Sequence, residues 1–391
     1  MEHATFPEAA RAGRFELDEQ EFAIREMAQD FALAEIAPHA IEWDQEKTFP
    51  VETLRAAAAL GMGGIYVGEE HGGSGLSRLE ATLIFESLAL GCPSIAAYVS
   101  IHNMVNWMID RFGSDEQRGR YVRGLCTMEQ LGSYCLTEPG AGSDAAALRT
   151  SARADGDAYV LNGVKQFISG AGAAEVYIVM ARTGDAGPGG ISAFIVDKAT
   201  PGLSFGPNEK KMGWNAQPTR QVILEDARVP KENLLGQLGE GFKIAMSGLN
   251  GGRINIGACS IGGAQGALDR TLAYMADRKA FGKRIADFQA LQFRLADMAT
   301  ELEAARSLLW RAAAALDAKK PEATQFCAMA KRFATDVGFQ VANEALQLHG
   351  GYGYLAEYGV EKIVRDLRVH QILEGTNEVM RLIVGRGLVR D

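Results

Sequence analysis

In "RVHQILEGTNEVMR", residues 368–381, Glu374 stands between the apolar run "QIL" and the pair Gly375-Thr376. A carboxylate in that setting has two readings. It is a turn residue ahead of a helix cap, or it is a base kept dry, whose hold on a proton burial would strengthen. A second dense stretch, "YCLTEPGAGSDAA" at 134–146, fits the loose dinucleotide pattern through Gly140, Gly142 and Ala145. That pattern needs a helix after the glycines, and the residues here alternate as strands, so a nucleotide-binding βαβ unit is excluded. What remains is a tight connection, or a turn whose backbone N–H groups face an anion or a polar ring edge. Cys92, Cys126, Cys135, Cys259 and Cys327 are scattered without metal-ligand spacing. They read as buried thiols in a reducing compartment, with no metal site expected.

Three segments must position these residues: a helical one at 1–131, a β one at 132–240 and a helical bundle at 241–391. The first holds "DEQEFAIREMAQDFALAEIAPHA", with Ile24, Met27, Ala28 and Phe31 on one stripe, Asp18 as N-cap and Pro38 as stop. "VETLRAAAALG" ends at the C-capping Gly61, Ser77 opens the next helix, and Ser114 with Gln117 is spaced as a capping box. From residue 132 the pattern alternates around Asp155-Gly156 and Asn162-Gly163, which predicts a hairpin turn at each pair. Beyond 241, "GFKIAMSGLNGGRINIGACSIGG" is rich in Gly and Ala, which lets helices approach closely, and two long amphipathic segments follow.

With 391 residues, 47% of them apolar and 23% charged, the chain has the composition of a globular protein with a sizeable core. A net charge of −9 argues against nucleic acid as a main partner. No run approaches the roughly 20 apolar residues of a membrane helix, so no membrane partner is expected. The start, "MEHATFPEAARAGRFELDEQEF", mixes acids with arginines and lacks an apolar core, so it reads as neither a secretory signal nor a transit peptide. The expected location is a bacterial cytoplasm, or the mitochondrial matrix for a processed chain.

"YCLTEPGAGSD", "ARVPKENLLG", "DRKAFGKRI", "LQLHGGYGY" and "ILEGTNEVMR" occur in the order and approximate spacing of the acyl-CoA dehydrogenase family of flavoenzymes. From about residue 15 to its end the chain resembles that family. The resemblance implies an α+β, mainly α fold: an N-terminal helical domain, a middle antiparallel β-domain and a C-terminal four-helix bundle. It implies FAD lying between the β-domain and the bundle. Tyr134, Leu136 and Thr137 would meet the flavin's pyrimidine edge, with Gly142 in the same turn. Ser143 would contact the CoA arm at the cofactor's border. Phe167, Ile168 and Ser169 would pack on the ring and bond near its hydride-accepting nitrogen; many relatives have Trp and Thr at positions 167 and 169. Arg278 and Phe281 would reach the diphosphate and adenine of a neighbouring subunit's FAD, joined by Gln289, Gln292, Gln347, Gly350 and Gly351. Thr376 and Glu378 complete the cofactor contacts. Asn250, where relatives often carry Asp, and Arg253 would contact CoA, and Gly375 would let the backbone approach the substrate.

The implied reaction removes an α-proton and a β-hydride from an acyl thioester. A minority of the family place the base just before the arginine; Gly252 stands there in this chain, so Glu374 takes the role. In "GLNGGRINIG", "GWNAQPTRQVI" and "LHGGYGYL" the chain resembles family members acting on short branched acyl-CoA, which implies isobutyryl-CoA going to methacrylyl-CoA in valine breakdown. Alternatives are 2-methylbutyryl- or butyryl-CoA, or an acyl-CoA oxidase on the same fold. Tyr98 and Tyr352 are candidates for the pocket floor. The resemblance further implies electron-transferring flavoprotein as acceptor, and a homotetramer.

Overall fold

The computed structural model describes residues 17–389. The reading of the chain's start rests on residues 1–22, of which 1–16 lie outside those described. Helix α1 (Glu19–Phe31) opens on a capping box: Asp18 accepts from the Glu21 N–H at 2.8 Å while the Glu21 carboxylate takes the Asp18 N–H at 3.0 Å. A single π-type turn, Ala32–Ile36, carries it to its end ahead of Pro38. After α2 (Ala40–Glu46) and α3 (Val51–Ala59), Gly61 follows the C-cap with a φ of +86°. Helices α4 (Arg78–Gly91) and α6 (Asp115–Cys126) begin on capping boxes at Ser77 and Ser114, and α5 (Pro93–Phe112) on its proline.

The strands are β1 (Gly132–Cys135), β2 (Ser151–Asp155), β3 (Ala158–Ser169), β4 (Val176–Arg182), β5 (Ile191–Asp197), β6 (Leu203–Phe205), β7 (Thr219–Pro230) and β8 (Leu234–Leu235). They form one sheet in the order β6-β7-β3-β2-β4-β5-β8, with β1 beside β4. Most pairs are antiparallel; β1 runs parallel to β4, with Gly132 opposite Val176. Asp155-Gly156 turns β2 into β3, as its pattern predicts. Asn162-Gly163 does not turn the chain. It lies inside β3, where the register to β7 shifts between Leu161 and Gly163. The Asn162 side chain bonds Asp226 on the neighbouring strand instead of closing a loop, and Gly163 has a φ of +151° against Thr150. An Asn-Gly pair serves a β-bulge as well as a turn, and only the partner strand decides between them.

Helix α7 (Gly241–Asp277) is buried on nearly every side. It packs against α4 and α5 on one flank and against α8 (Gln289–Asp317) and α9 (Ala323–His349) on the other. Its small residues permit this: a methyl at Gly262 would overlap the Glu86 carbonyl oxygen of α4. The short β9–β10 hairpin (Lys279–Ala280, Lys283–Arg284) follows α7, and α10 (Val360–Arg368) and α11 (Asn377–Leu388) close onto α9. β1, the N-terminal halves of α7 and α9, and the loop before α11 therefore meet.

Candidate active site

Glu374 lies in the loop between α10 and α11, two residues before Thr376. The Thr376 hydroxyl accepts the Val379 N–H at 3.3 Å and caps α11. Glu374 has a φ of +57° and Gly375 one of +87°, two successive left-handed residues. For a side chain with a Cβ this conformation is strained and persists only where its surroundings hold it. Those surroundings are cationic. Arg253 of α7 donates from Nε to the Glu374 carbonyl at 3.2 Å, and Lys331 of α9 donates from Nζ to the Gly375 carbonyl at 2.9 Å.

The Glu374 carboxyl rests on Gly252, where a Cβ would come within 2.6 Å of Oε2. Glycine at 252 is thus what makes room for the acid. The residue as a whole is half-buried, yet Oε2 itself is buried and has no hydrogen-bond partner. Burial raises this carboxyl to about 7, with Arg253 and Lys331 pulling the other way. The apolar run contributes unevenly to the dry wall expected of it. Leu373 packs on the cluster of Ala97, Trp214 and Ile256, but Ile372 is half exposed and Gln371 bonds Asp336 at 2.8 Å.

Two further buried polar atoms without partners gather near the acid: the Tyr134 hydroxyl and Asn255 Oδ1. Tyr134 is pushed up by burial and by the nearby Glu374 charge. Asn255 donates to the Tyr66 hydroxyl at 3.2 Å, and the Arg78 guanidinium lies 3.8 Å over the Tyr66 ring. Asn250 and Arg253, expected on CoA, hold each other at 2.8 Å, and Asn250 also bonds Thr324 at 3.1 Å.

The turn after β1 leaves Gly142 and Ser143 exposed. Its shape is set by a buried pair that sequence reasoning missed: Lys165 Nζ lies 2.8 Å from Glu138 and 3.0 Å from the Leu136 carbonyl. Glu138 also accepts from the Arg149 and Thr150 N–H groups. Phe167 is 64% exposed and held at a φ of +60°, where β3 slips against β7. Ser169 accepts from Ser133 through its carbonyl at 2.7 Å. Ile168 departs from expectation. Its side chain is buried in the main core, because the register break turns Phe167 outward and Ile168 in, and its backbone is paired opposite Arg220 of β7.

Arg278, Gln347, Gly350 and Gly351 line a separate cleft of about 550 Å³, together with Tyr352. Phe281, 95% exposed at a φ of +53°, and the exposed Gln289 and Gln292 occupy the segment between α7 and the start of α8. Lys331 and Gln347 share α9, so this cleft is removed from Glu374 by roughly 24 Å at the helical rise per residue. Tyr352 accordingly cannot floor a pocket at Glu374, and Tyr98 is wholly buried, its hydroxyl on the Gly132 carbonyl at 3.3 Å. Among the described residues no cluster of His, Cys, Asp and Glu could hold a metal ion, and no helix is long and apolar enough to cross a membrane.

Residues 18–129, 133–227 and 239–389 match the N-terminal, middle and C-terminal domains of acyl-CoA dehydrogenase. Mitochondrial isobutyryl-CoA dehydrogenase of Bos taurus is 56% identical over 375 residues, 96% of this chain and 90% of that one. The chain belongs to the acyl-CoA dehydrogenase family. Butyryl-CoA dehydrogenase from Megasphaera elsdenii, a solved structure, has a TM-score of 0.93 at 40% identity, covering 97% of this chain and 100% of that one. PigA with FAD and proline has a TM-score of 0.93 at 31% identity, covering 96% and 99%. Acyl-CoA dehydrogenases share the helical, β, helical order found here, and as a family they depend on FAD.

The residues present suit that cofactor. An exposed aromatic at Phe167 and buried polar atoms without partners at Tyr134 and Glu374 wait on a large, partly polar ligand. In the far cleft, nothing lies within 4 Å of where a Cβ would stand on Gly350 or Gly351, which leaves room beside the Arg278 guanidinium for a diphosphate.

Proposed function

We propose that this chain carries out FAD-dependent α,β-dehydrogenation of a short branched acyl-CoA, converting isobutyryl-CoA to methacrylyl-CoA as in valine breakdown, with Glu374 as the base. The observation that carries the reading is the Glu374 carboxyl: dry at Oε2, unpaired, and seated over Gly252.

A thioester α-proton is too weakly acidic for an ordinary carboxylate to remove in water. Burial brings Glu374 to about 7, so near neutral pH it is still half ionised and a far better proton acceptor than a solvated glutamate. The α-carbon's proton goes to Glu374, and the β-hydrogen departs with its electron pair, leaving the C=C bond of the enoyl thioester. FAD, when bound, supplies the acceptor for that hydride. Held by Arg253 and Lys331, the 374–375 backbone presents the Glu374 N–H as a fixed donor for the thioester oxygen, which favours the enolate-like form.

Tyr134, Leu136, Thr137, Phe167, Ser169, Thr376 and Glu378 would hold the flavin end. Arg278, Phe281, Gln289, Gln292, Gln347, Gly350 and Gly351 of a neighbouring copy would hold the diphosphate and adenine end, in a homotetramer. Gly142 and Ser143 would border cofactor and substrate, with Asn250, Arg253 and Gly375 on the substrate side. Electron-transferring flavoprotein is the proposed acceptor of the reduced cofactor's electrons. The 56% identity to an isobutyryl-CoA dehydrogenase supports the substrate, and the likeness to a butyryl-CoA dehydrogenase keeps the straight four-carbon chain as the second reading.

The test is kcat/KM across a panel of acyl-CoA substrates with an artificial electron acceptor. Isobutyryl-CoA is expected to lead, with butyryl- and 2-methylbutyryl-CoA behind by the roughly 10- to 200-fold that one methyl group allows. A lead for butyryl-CoA would favour the second reading. Rapid turnover with peroxide formation under oxygen alone would overturn the dehydrogenase assignment.

A further inference from the structure

Lys331 enters the roles above only as one of two cations on the 374–375 backbone, yet it is among the most deeply placed charges in the molecule. It is wholly buried in the N-terminal third of α9. A lysine so placed is rare unless it is paired. Its Nζ donates to the Gly375 carbonyl at 2.9 Å and to Asn377 Oδ1 at 2.9 Å. Asn377 is fixed in turn: its Nδ2 donates to Asp336 Oδ1 at 2.7 Å and to Thr335 Oγ1 at 3.0 Å. The ammonium is thus anchored on one side and aimed at the backbone next to Glu374 on the other. Gly375 and Glu374 are the two left-handed residues of the loop, and Arg253 takes the carbonyl of the other.

We propose that Lys331 is a positioning residue for Glu374: anchored by Asn377, its ammonium grips the Gly375 carbonyl, holds the 374–375 loop in its left-handed shape, and supplies the positive charge that keeps the buried carboxyl able to ionise. The inference rests on the reading of Glu374 as the base. The charged and titratable groups around that carboxyl are Arg253 from α7, Lys331 from α9, Tyr134 from β1 and Tyr66 from the loop before α4. Lys331 itself is faced by Glu374, Arg253, Asp336 and Glu378. Burial lowers it to about 8, with the Glu374 charge opposing the shift. Near pH 7 the ammonium is therefore charged while the carboxyl is half ionised.

Infrared difference titration of the protein against its Glu374→Gln variant reads the carboxyl without turnover, so failure of this inference is distinguishable from failure of the assigned reaction. The carboxyl band should vanish with a midpoint near 7 in the native chain. In Lys331→Gln, which keeps a donor for the Gly375 carbonyl but drops the charge, the midpoint should rise by about one pH unit or more. Lys331→Arg, which keeps the charge, should leave it near the native value. In turnover assays Lys331→Gln should lower kcat at pH 7 by about tenfold or more while KM changes much less, because a base that is mostly protonated is the defect. An unmoved midpoint in folded Lys331→Gln would overturn the proposal. So would failure of both variants to fold, since Lys331 would then serve the whole bundle and not the loop.

Discussion

Glu374 owes its proposed role to an imbalance that stability measurements can read. Its folded-state value of about 7 lies above its ordinary 4.5, so between those values the folded chain binds more protons than the unfolded one. The stability tied to this carboxyl is complete below pH 4.5 and is lost as pH rises through 7. Glu374→Gln removes the charge, so its melting temperature relative to the native chain should climb between about pH 5 and pH 8. A constant difference across that range would contradict the assigned shift. In the same variant kcat should fall by about a thousandfold or more, while acyl-CoA binding persists. The native rate should rise with pH through a midpoint near 7, because the ionised form is the active one. The sequence exposed Glu374 through its apolar and glycine neighbours. It also held a sign of Lys331, which falls between Cys327 and Thr335 at helical spacing, on the buried stripe of α9. A lysine on that stripe signals a partner, and only the fold reveals that the partner is the Gly375 carbonyl.

At the scale of elements, caps and periods were legible because they act within a turn or two of chain. The boxes at Asp18, Ser77 and Ser114 form as their spacing predicts. Asn162-Gly163 was misread as a turn because a bulge and a hairpin use the same two residues, and the choice belongs to the facing strand β7. Lys165 shows the same limit: in an alternating strand pattern it looks like any outward lysine, yet it is wholly buried against Glu138. Burial alone would raise the Glu138 carboxyl, but Lys165 and the Thr150 and Arg149 amides hold it below its ordinary value. Lys165→Met would leave that carboxylate inside the protein without a counter-charge, held by two backbone amides alone. It should cost about 3–5 kcal/mol in denaturant unfolding and loosen the turn that carries Thr137 and Gly142. A loss below about 1 kcal/mol would mean that water or another group already satisfies Glu138.

At the scale of the whole molecule, the residues proposed for one cofactor fall into two groups, one around Glu374 and one in the cleft at the C-terminal end of α9, and the proposed oligomer would join a half from each of two copies. A shared site makes a sharp prediction. Glu374→Gln and Arg278→Ala chains, each inactive or weak alone, should regain a substantial fraction of native activity when unfolded together and reassembled. A mixed oligomer contains sites that draw Glu374 from one copy and Arg278 from the other. If each chain held a complete site, every mixed site would remain defective and no activity would return.

What the sequence determined by itself was the order of elements, their caps and the close helix contacts along α7, which follow from residue type and short-range spacing; it offered Glu374 as a candidate acid, and the family resemblance implied its role. The tertiary structure decided what raises that carboxyl's hold on a proton. Gly252, Arg253, Lys331 and Tyr134 come from three elements far apart in the chain. Desolvation and charge depend on distance in space, and local sequence carries no record of it.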